Sequence, residues 1–414
     1  MPYTAPGVYV EEVPSGFRPI AGVGTSTAAF IGVSGDITGA WNRETKTGMP
    51  VDLSGNAYAQ VPALTWSPVN SWTEFTQKFG DIQAANQHLA QAVYGFFNNG
   101  GTRCWVTRLE GPYEELLTDL TTALTRLESN DEISIVAAPL PPDVPQAALN
   151  DAHNLLVGHC EDMETRVAIL DSACDISGDN LVITGDDSGI WKPQVNRKGY
   201  GAFYFPWIHV ADPLGDAGAR VAVPPSGHLA GVYARSDAER GVFKAPANEI
   251  IRGALGLRYQ VSRQIQGTLN PNGVDCVRSF SGTIKVYGAR SLASDSHGQG
   301  DDEWKYISVR RFVNYLRQSL DVGTQWVVFE PNGPDLWSKI RRNVGAFLNG
   351  EWAAGALVGS TPAQAFYVIC DETTNPPEVR DRGEVVTEIG VAVVRPAEFV
   401  IFRLTQWSGP GAGQ

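Results

Sequence analysis

Three clusters in this 414-residue chain carry side chains of types that do chemistry. His153, His159 and Cys160 are the kinds of residue that hold zinc through imidazole nitrogen and thiolate sulfur. They stand among Leu149, Ala152, Leu155 and Leu156, whose spacing predicts an amphipathic helix, and no second ligand pair accompanies them. They are therefore read as solvated or core-edge residues. Ser226, His228 and Asp237 have the types of a nucleophile, a base and an orienting acid. In an extended segment, residues two apart lie about 6–7 Å apart, too far for a direct Ser to His hydrogen bond. No oxyanion-hole signature stands nearby, so a structural role is expected. The run Asp295, Asp301, Asp302 and Glu303 has the composition of a calcium loop. Counting from Asp295, however, His297 and Gln299 fill the third and fifth positions and Tyr306 stands where a bidentate glutamate is required, with Gly300 the sole match. Asp301 or Asp302 is expected instead to cap a helix beginning near Trp304.

The motifs of common catalytic folds are missing. There is no GxGxxG after a strand, no GxxxxGK[ST] phosphate loop, no HExxH and no GxSxG elbow. No catalytic, cofactor-binding or metal-ligating residue is assigned, no cofactor is expected, and the chain is read as a non-enzyme. The rival within the enzyme class is an oligomeric α/β hydrolase or lyase with a dispersed site; a nucleotide-driven motor is excluded by the missing phosphate loop.

The elements that would position any site come from hydrophobic periodicity. Thr27 to Asp36 reads as a short buried strand ending in a glycine-rich turn, and Trp41 to Gln60 as an exposed loop or hairpin. Helical spacing appears in Leu89, Val93, Phe96 and Phe97, in Leu116, Leu120, Leu124 and Leu127, and around Leu149 to His159. Between and after them lie the apolar runs Ile133–Ala138, Arg166–Leu170 and Ala202–Val210. Continuous apolar strands alternating with helices predict a covered, largely parallel sheet in an α/β layer. The Pro- and Gly-rich stretch Asp212 to Gly227 is the expected domain boundary. After it the pattern predicts a helix near Asn248 to Leu257, strands within Arg278 to Tyr287, and a long helix from Trp304 to Leu320. A strand over Gln325 to Phe329, a helix over Asp335 to Asn349 and a strand over Ala365 to Asp371 follow.

Composition bounds the function. The net charge is −13, which removes the electrostatic footprint of a general nucleic-acid binder. No apolar run approaches the roughly 20 residues that span a bilayer, and the first residues lack a signal-peptide layout, so a chain made and kept in the cytoplasm without membrane insertion is expected. Five widely spaced cysteines fit neither a disulfide framework nor a CxxC site and are expected to be reduced and mostly buried. One stretch departs from the acidic background. Glu303 to Gly350 holds seven basic and four acidic residues, a local +3. Such a single-sign patch marks either a solvated helix face or the contact for an acidic partner.

At Pro6 to Gly32, PGVYVEEVPSGFRPIAGVGTSTAAFIG, the sequence resembles the opening of contractile-tail sheath proteins, the family shared by contractile phage tails and phage-tail-like injection systems. Further blocks follow in the family's order: Ala92 to Arg108, Val223 to Asn248, Asp301 to Arg311, Trp326 to Ile340, Gly355 to Asp371 and Arg395 to Gln406. The resemblance spans nearly the whole chain and is weakest between Gly111 and Tyr200; its compactness is closer to tail-like injection systems than to elaborated phage sheaths. It implies an α/β subunit of two domains with extended β arms: an N-terminal arm over 1–25, an outer α/β domain over 26–222, an α+β inner core over 223–385 and a C-terminal arm over 386–414. The implied function is a structural one, a helical sheath of stacked rings around an inner tube protein that contracts to drive the tube through a target envelope, with baseplate and tail-terminator or cap proteins as further partners. A non-contractile tube subunit is the structural rival. The strand-like arm residues are Val8, Tyr9 and Val10 near the start and Phe399, Val400, Ile401 and Phe402 near the end; Lys339, Arg341 and Arg342 are the expected inner-tube contact.

Overall fold

The computed structural model describes residues 19–35, 60–110, 115–176, 192–296 and 298–403. Val8, Tyr9, Val10, His297 and nearly all of the Trp41 to Gln60 loop lie outside them.

An eight-stranded sheet forms the frame. Its strands are β1 (Ala28–Val33), β2 (Ser67–Val69), β3 (Cys104–Leu109), β4 (Ile135–Ala137), β5 (Val167–Asp171), β6 (Gly201–Phe205), β10 (Val274–Phe280) and β11 (Thr283–Val286), in the spatial order β11-β10-β6-β5-β4-β1-β3-β2. The six inner strands run parallel, and β2 and β11 close the two edges antiparallel. Alternation decides which side chains serve which face. Phe30, Ile135, Ile169 and Tyr204 point into one apolar cluster; Ile31, Val136, Leu170 and Phe203 point into the other. Both faces are covered. Helices α1 (Trp72–Phe79), α2 (Gln87–Asn98) and α5 (Ser226–Arg240) lie on the first; α3 (Leu116–Leu127), α4 (Gln146–Met163) and α6 (Arg263–Leu269) lie on the second. A small three-stranded sheet of β7 (Ile208–Ala211), β8 (Arg220–Val223) and β9 (Gly256–Leu257) adjoins them.

Glycine sets the α2 to α5 approach. A Cβ on Gly231 would sit 2.4 Å from the Phe96 carbonyl oxygen, and one on Gly227 would meet the Ala92 backbone equally closely. With hydrogen there instead, the two helices pack nearly backbone to backbone.

Beyond the sheet, α7 (Ile307–Thr324), α8 (Pro334–Ala353) and an antiparallel pair, β12 (Phe366–Ile369) with β13 (Glu388–Val391), enclose a third core around Phe312, Leu316, Ile340, Val344 and Leu348. Helix α8 starts at Gly333 with Pro334 in its first turn, where the missing amide costs nothing. Its apolar residues repeat at i, i+4 and i+8, as the sequence pattern predicts.

Four expectations about elements are corrected. The division at residue 222 does not hold, because β10 pairs with β6 and α5 packs on α2; the sheet closes only with strands from beyond that point. Asn248 to Leu257 is no helix. Asn248 and Gly253 have φ of 62° and 85°, and residues 249–251 run extended after Asn248, the segment hydrogen-bonding β11 and covering its edge. Gln325 to Phe329 is not a strand: α7 continues to Thr324 and ends in a 3₁₀ turn, Gln325–Val327, and these residues pair with no strand among the described residues despite their β-branched side chains. Finally, part of the expected C-terminal arm, Glu388–Val391, is paired within its own subunit as β13.

Candidate functional site

The structure disperses the three catalytic-looking clusters. Ser226, His228 and Asp237 all lie on α5 rather than on an extended segment. Ser226 N–H donates to Asp171 Oδ1 at 2.8 Å, His228 packs against Gly95, and Asp237, about three turns further along the helix, pairs with Arg311. His153, His159 and Cys160 are buried in the core, not solvated or at its edge. Burial lowers the His153 pKa to about 3 and the His159 pKa to about 4, the latter aided by the neighbouring Arg166, whose guanidinium lies 2.7 Å from the ring nitrogen. Burial likewise raises the Cys160 thiol to about 12. These are groups held neutral inside an apolar layer, without the ionised thiolate that a metal site needs. Among the described residues no group of His, Cys, Asp and Glu is arranged to hold a metal. In the acidic loop, Asp301 Oδ1 accepts from Glu303 N–H at 2.9 Å, which builds a turn; α7 begins only at Ile307, so the expected cap is a turn instead. The described cysteines are all free, with Cys104, Cys160, Cys276 and Cys370 buried.

What the fold does assemble is a set of contacts where the two ends of the described chain join α7. Residues 20–25 run antiparallel along that helix. Ile20 packs on Gly323, Gly22 lies against the Tyr315 ring, and Val23 N–H donates to Ser319 Oγ at 3.1 Å. At the far end Thr25 Oγ1 donates to Asp237 Oδ2 at 2.6 Å, while Arg311 donates to both Asp237 oxygens, at 2.9 and 2.6 Å, and to the Thr25 carbonyl at 3.1 Å. Arg311 also sits 4.7 Å above the Tyr233 ring. Burial of an ion pair is offset only when its hydrogen bonds are met, and here four hydrogen bonds join six polar atoms of Arg311, Asp237 and Thr25.

A second fastening stands at the start of α7. Glu398 accepts from Arg290 Nε at 2.9 Å and Nη2 at 2.8 Å, from Tyr306 Oη at 3.0 Å and from Asn270 Nδ2. Burial opposes its charge, yet the bonds from Arg290, Asn270 and Tyr306 outweigh that and hold the carboxyl below its ordinary range. The next four residues, Phe399, Val400, Ile401 and Phe402, are 71–84% exposed and form no strand in the subunit. In the third core, β12 has only one strand neighbour among the described residues, and Tyr367 on it is half exposed.

The basic stretch divides in two. Arg310 is buried, its guanidinium 3.5 Å over the Trp304 ring and 4.4 Å over Tyr200, and Arg311 is the buried partner of Asp237; Arg317 pairs with Glu164. Arg341 donates to the Cys370 carbonyl and to Ser338 Oγ. Lys339 and Arg342 remain exposed on the outer face of α8, and neither makes an ion pair among the described residues. Sequence reasoning thus found the exposed pair but missed both fastenings, which join residues far apart in the chain.

Two family models cover most of the chain: the phage tail sheath protein central domain matches residues 118–292 and the phage tail sheath C-terminal domain matches 299–406. The chain belongs to the contractile tail sheath family. The two sheath models meet in the loop between β11 and α7, where the third core begins, and not at residue 222. The tail sheath protein of Vibrio phage KVP40 is 28% identical over 184 residues, 44% of this chain and 25% of that one. The chain spans about a quarter of the length of the curated phage relatives it matches. Two solved structures match along their whole length. The helical sheath of the anti-feeding prophage in its contracted state is 26% identical with a TM-score of 0.72, covering 98% of this chain and 99% of that one. A chain of the same particle's 6-fold symmetrised baseplate is 25% identical with a TM-score of 0.72, covering 98% and 100%.

Proposed function

We propose that this chain is a structural sheath subunit, which polymerises as stacked helical rings around an inner tube protein and contracts to drive that tube through a target envelope. It uses no cofactor and no catalytic residue, and it engages baseplate and terminal cap proteins at the two ends of the sheath. It is made in a bacterial cytoplasm and then built into a tail or tail-like particle. The observation that carries this reading is the end-to-end likeness to a helical sheath in its contracted state. In this reading the sheet body lies outward, the body built on α7 and α8 lies inward, and the two chain ends act as arms to neighbouring subunits.

The free edge of β12 and the exposed apolar run Phe399 to Phe402 support arm exchange. An unpaired edge and an unpaired extended segment in one chain satisfy each other when two copies meet, by adding a strand to a sheet. Because the segment of one copy enters the sheet of the next, the contact is head to tail and need not close, which generates a helix. Val8, Tyr9 and Val10 are the corresponding strand of the N-terminal arm. Lys339 and Arg342 on α8, with Arg341 held beside them by Cys370, form the cationic face toward the inner tube.

Electron microscopy of the purified full chain, alone and with its tube protein, tests the proposal. Striated tubes are expected. A protein that stays dispersed in both cases, at concentrations where soluble subunits are plentiful, would remove it.

A further inference from the structure

Four apolar residues in a row stand in water immediately after one of the most heavily bonded carboxylates on the molecule. Glu398 takes four hydrogen bonds from three residues, and its side chain is 19% exposed against 71% for Phe399, the next residue along. Its chief partner is itself held. Arg290 Nη1 donates to Ser294 Oγ at 3.0 Å, and the Arg290 amide donates to buried Asp275 Oδ1 at 2.8 Å. The guanidinium is thus pre-set in its fork before the carboxylate arrives, and a bidentate fork defines a direction as well as a distance.

We propose that Glu398 is the positioning residue of the C-terminal arm: its clamp to Arg290, Tyr306 and Asn270 fixes the direction and register in which Phe399 to Phe402 leave the subunit to seat on a second copy of this chain. The inference rests on the reading of that segment as an inter-subunit arm. Such a clamp pre-orders the root of the arm, so that association orders fewer residues and starts from one strand register. Register matters because a slip of one residue would turn Phe399 and Ile401 to the face that Val400 and Phe402 should occupy. A second copy is the occupant because the chain itself supplies an edge, on β12, that no strand pairs among the described residues and that an extended apolar segment fits.

The test compares four full-length or truncated chains: wild type, Glu398→Ala, Glu398→Gln, and a chain ending at Glu398. A fifth, Arg290→Glu with Glu398→Arg, restores the pair in reverse. Soluble-subunit melting and tube yield by sedimentation and microscopy are read separately. The expected result is folded subunits with Glu398→Ala and Glu398→Gln, tube yield lower by about ten-fold or more, irregular lattice in the tubes that form, and partial rescue by the reversed pair. If the chain ending at Glu398 still forms normal tubes, the arm reading fails. If that truncation abolishes tubes while both Glu398 variants assemble with wild-type yield and lattice, the arm reading stands and the clamp proposal fails. If neither Glu398 variant folds, the residue is an ordinary core ion pair and the proposal is again overturned.

Discussion

The sheet body from Ala28 to Val286 and the helix-and-hairpin body from Ile307 to Val394 handle their boundaries in opposite ways. In the first, both faces of the sheet are covered by helices, one antiparallel strand closes each edge, and residues 248–251 cover the outer side of β11. In the second, among the described residues, β12 keeps an open edge and Lys339 and Arg342 stand unpaired, while Val328 and Phe329 project into solvent. Phe329 is fully exposed with φ of 67°, an unfavourable place and backbone for a phenylalanine. A sealed body behaves as a rigid unit, because a close-packed interior resists gradual deformation. An unsealed one has affinity left over for neighbours. Two regions of one chain therefore divide stiffness from adhesion, and that division can be attacked experimentally.

The largest effect is expected where the two bodies are tied. Arg311→Ala leaves Asp237 buried without its partner and should cost about 3–5 kcal/mol in denaturant unfolding of the soluble subunit. A loss under about 1 kcal/mol would show that the bodies hold together without this tie.

The buried imidazoles of the sheet body should weaken it in acid, against the opposite trend of Asp171 and Asp275, whose carboxyls burial pushes up to about 7 and well above the ordinary range. His153 and His228 are held neutral by burial, with pKa values lowered to about 3 and about 4. The unfolded chain takes up protons near pH 6.5 while the fold does not, so stability is complete above that pH and falls as the pH drops toward 4. The loss is on the order of 2 kcal/mol for each imidazole by pH 5. Between pH 7 and pH 5 the wild type should lose about 2 kcal/mol relative to His228→Gln, and hydrogen exchange at pH 5 should show that relative loss in α2 and α5 and not in α8. Uniform opening would erase the contrast between the bodies.

Gly231→Ala places a methyl group against the Phe96 carbonyl and should destabilise the subunit by about 1–3 kcal/mol. At the other extreme, Phe329→Ser should leave subunit stability within about 0.5 kcal/mol, since the side chain contributes nothing to a core. Lys339→Glu with Arg342→Glu should be equally silent in unfolding, yet weaken tube-templated assembly and make it less sensitive to salt. Assembly unchanged across a salt titration would assign those two side chains to solvent.

The sheet body was readable because its pattern is local. Runs such as Ala28 to Val33 and Val167 to Asp171 alternate between two apolar layers, and the helices between them show their buried stripe within a few turns. Where local preference and tertiary context disagree, the reading failed: Gln325 to Phe329 has strand-like residues but no partner strand among the described residues, and Asn248 to Leu257 looks helical until Asn248 and Gly253 take positive φ. The candidate surfaces were legible in part. Lys339 and Arg342 could be found as an excess of charge, whereas Arg310 and Arg311 contributed to the same excess and turned out to be buried. Glu398 sits among apolar residues in RPAEFVIF, a cue that something must receive its charge; that the receiver is Arg290, 108 residues earlier, is information only the fold contains.

Helix α7 carries the N-terminal strap along its length and the C-terminal fastening at its first turn, through Tyr306. Its 18 residues measure about 27 Å as a helix. Seen as a mechanism of rods and pins, the subunit is a coupling rod whose two joints sit at a fixed separation, with the sheet body hung on its side as ballast. If both ends are gripped by neighbours, tension entering at one joint leaves at the other along hydrogen-bonded backbone, and the sheet lies off the line of force. The spacing between consecutive units is then governed by the length of one helix, so that a single turn inserted beyond Gln318, past the contacts of Arg310, Arg311, Arg317 and Gln318 with the sheet body, would change the pitch of any lattice built from it while leaving those contacts in place.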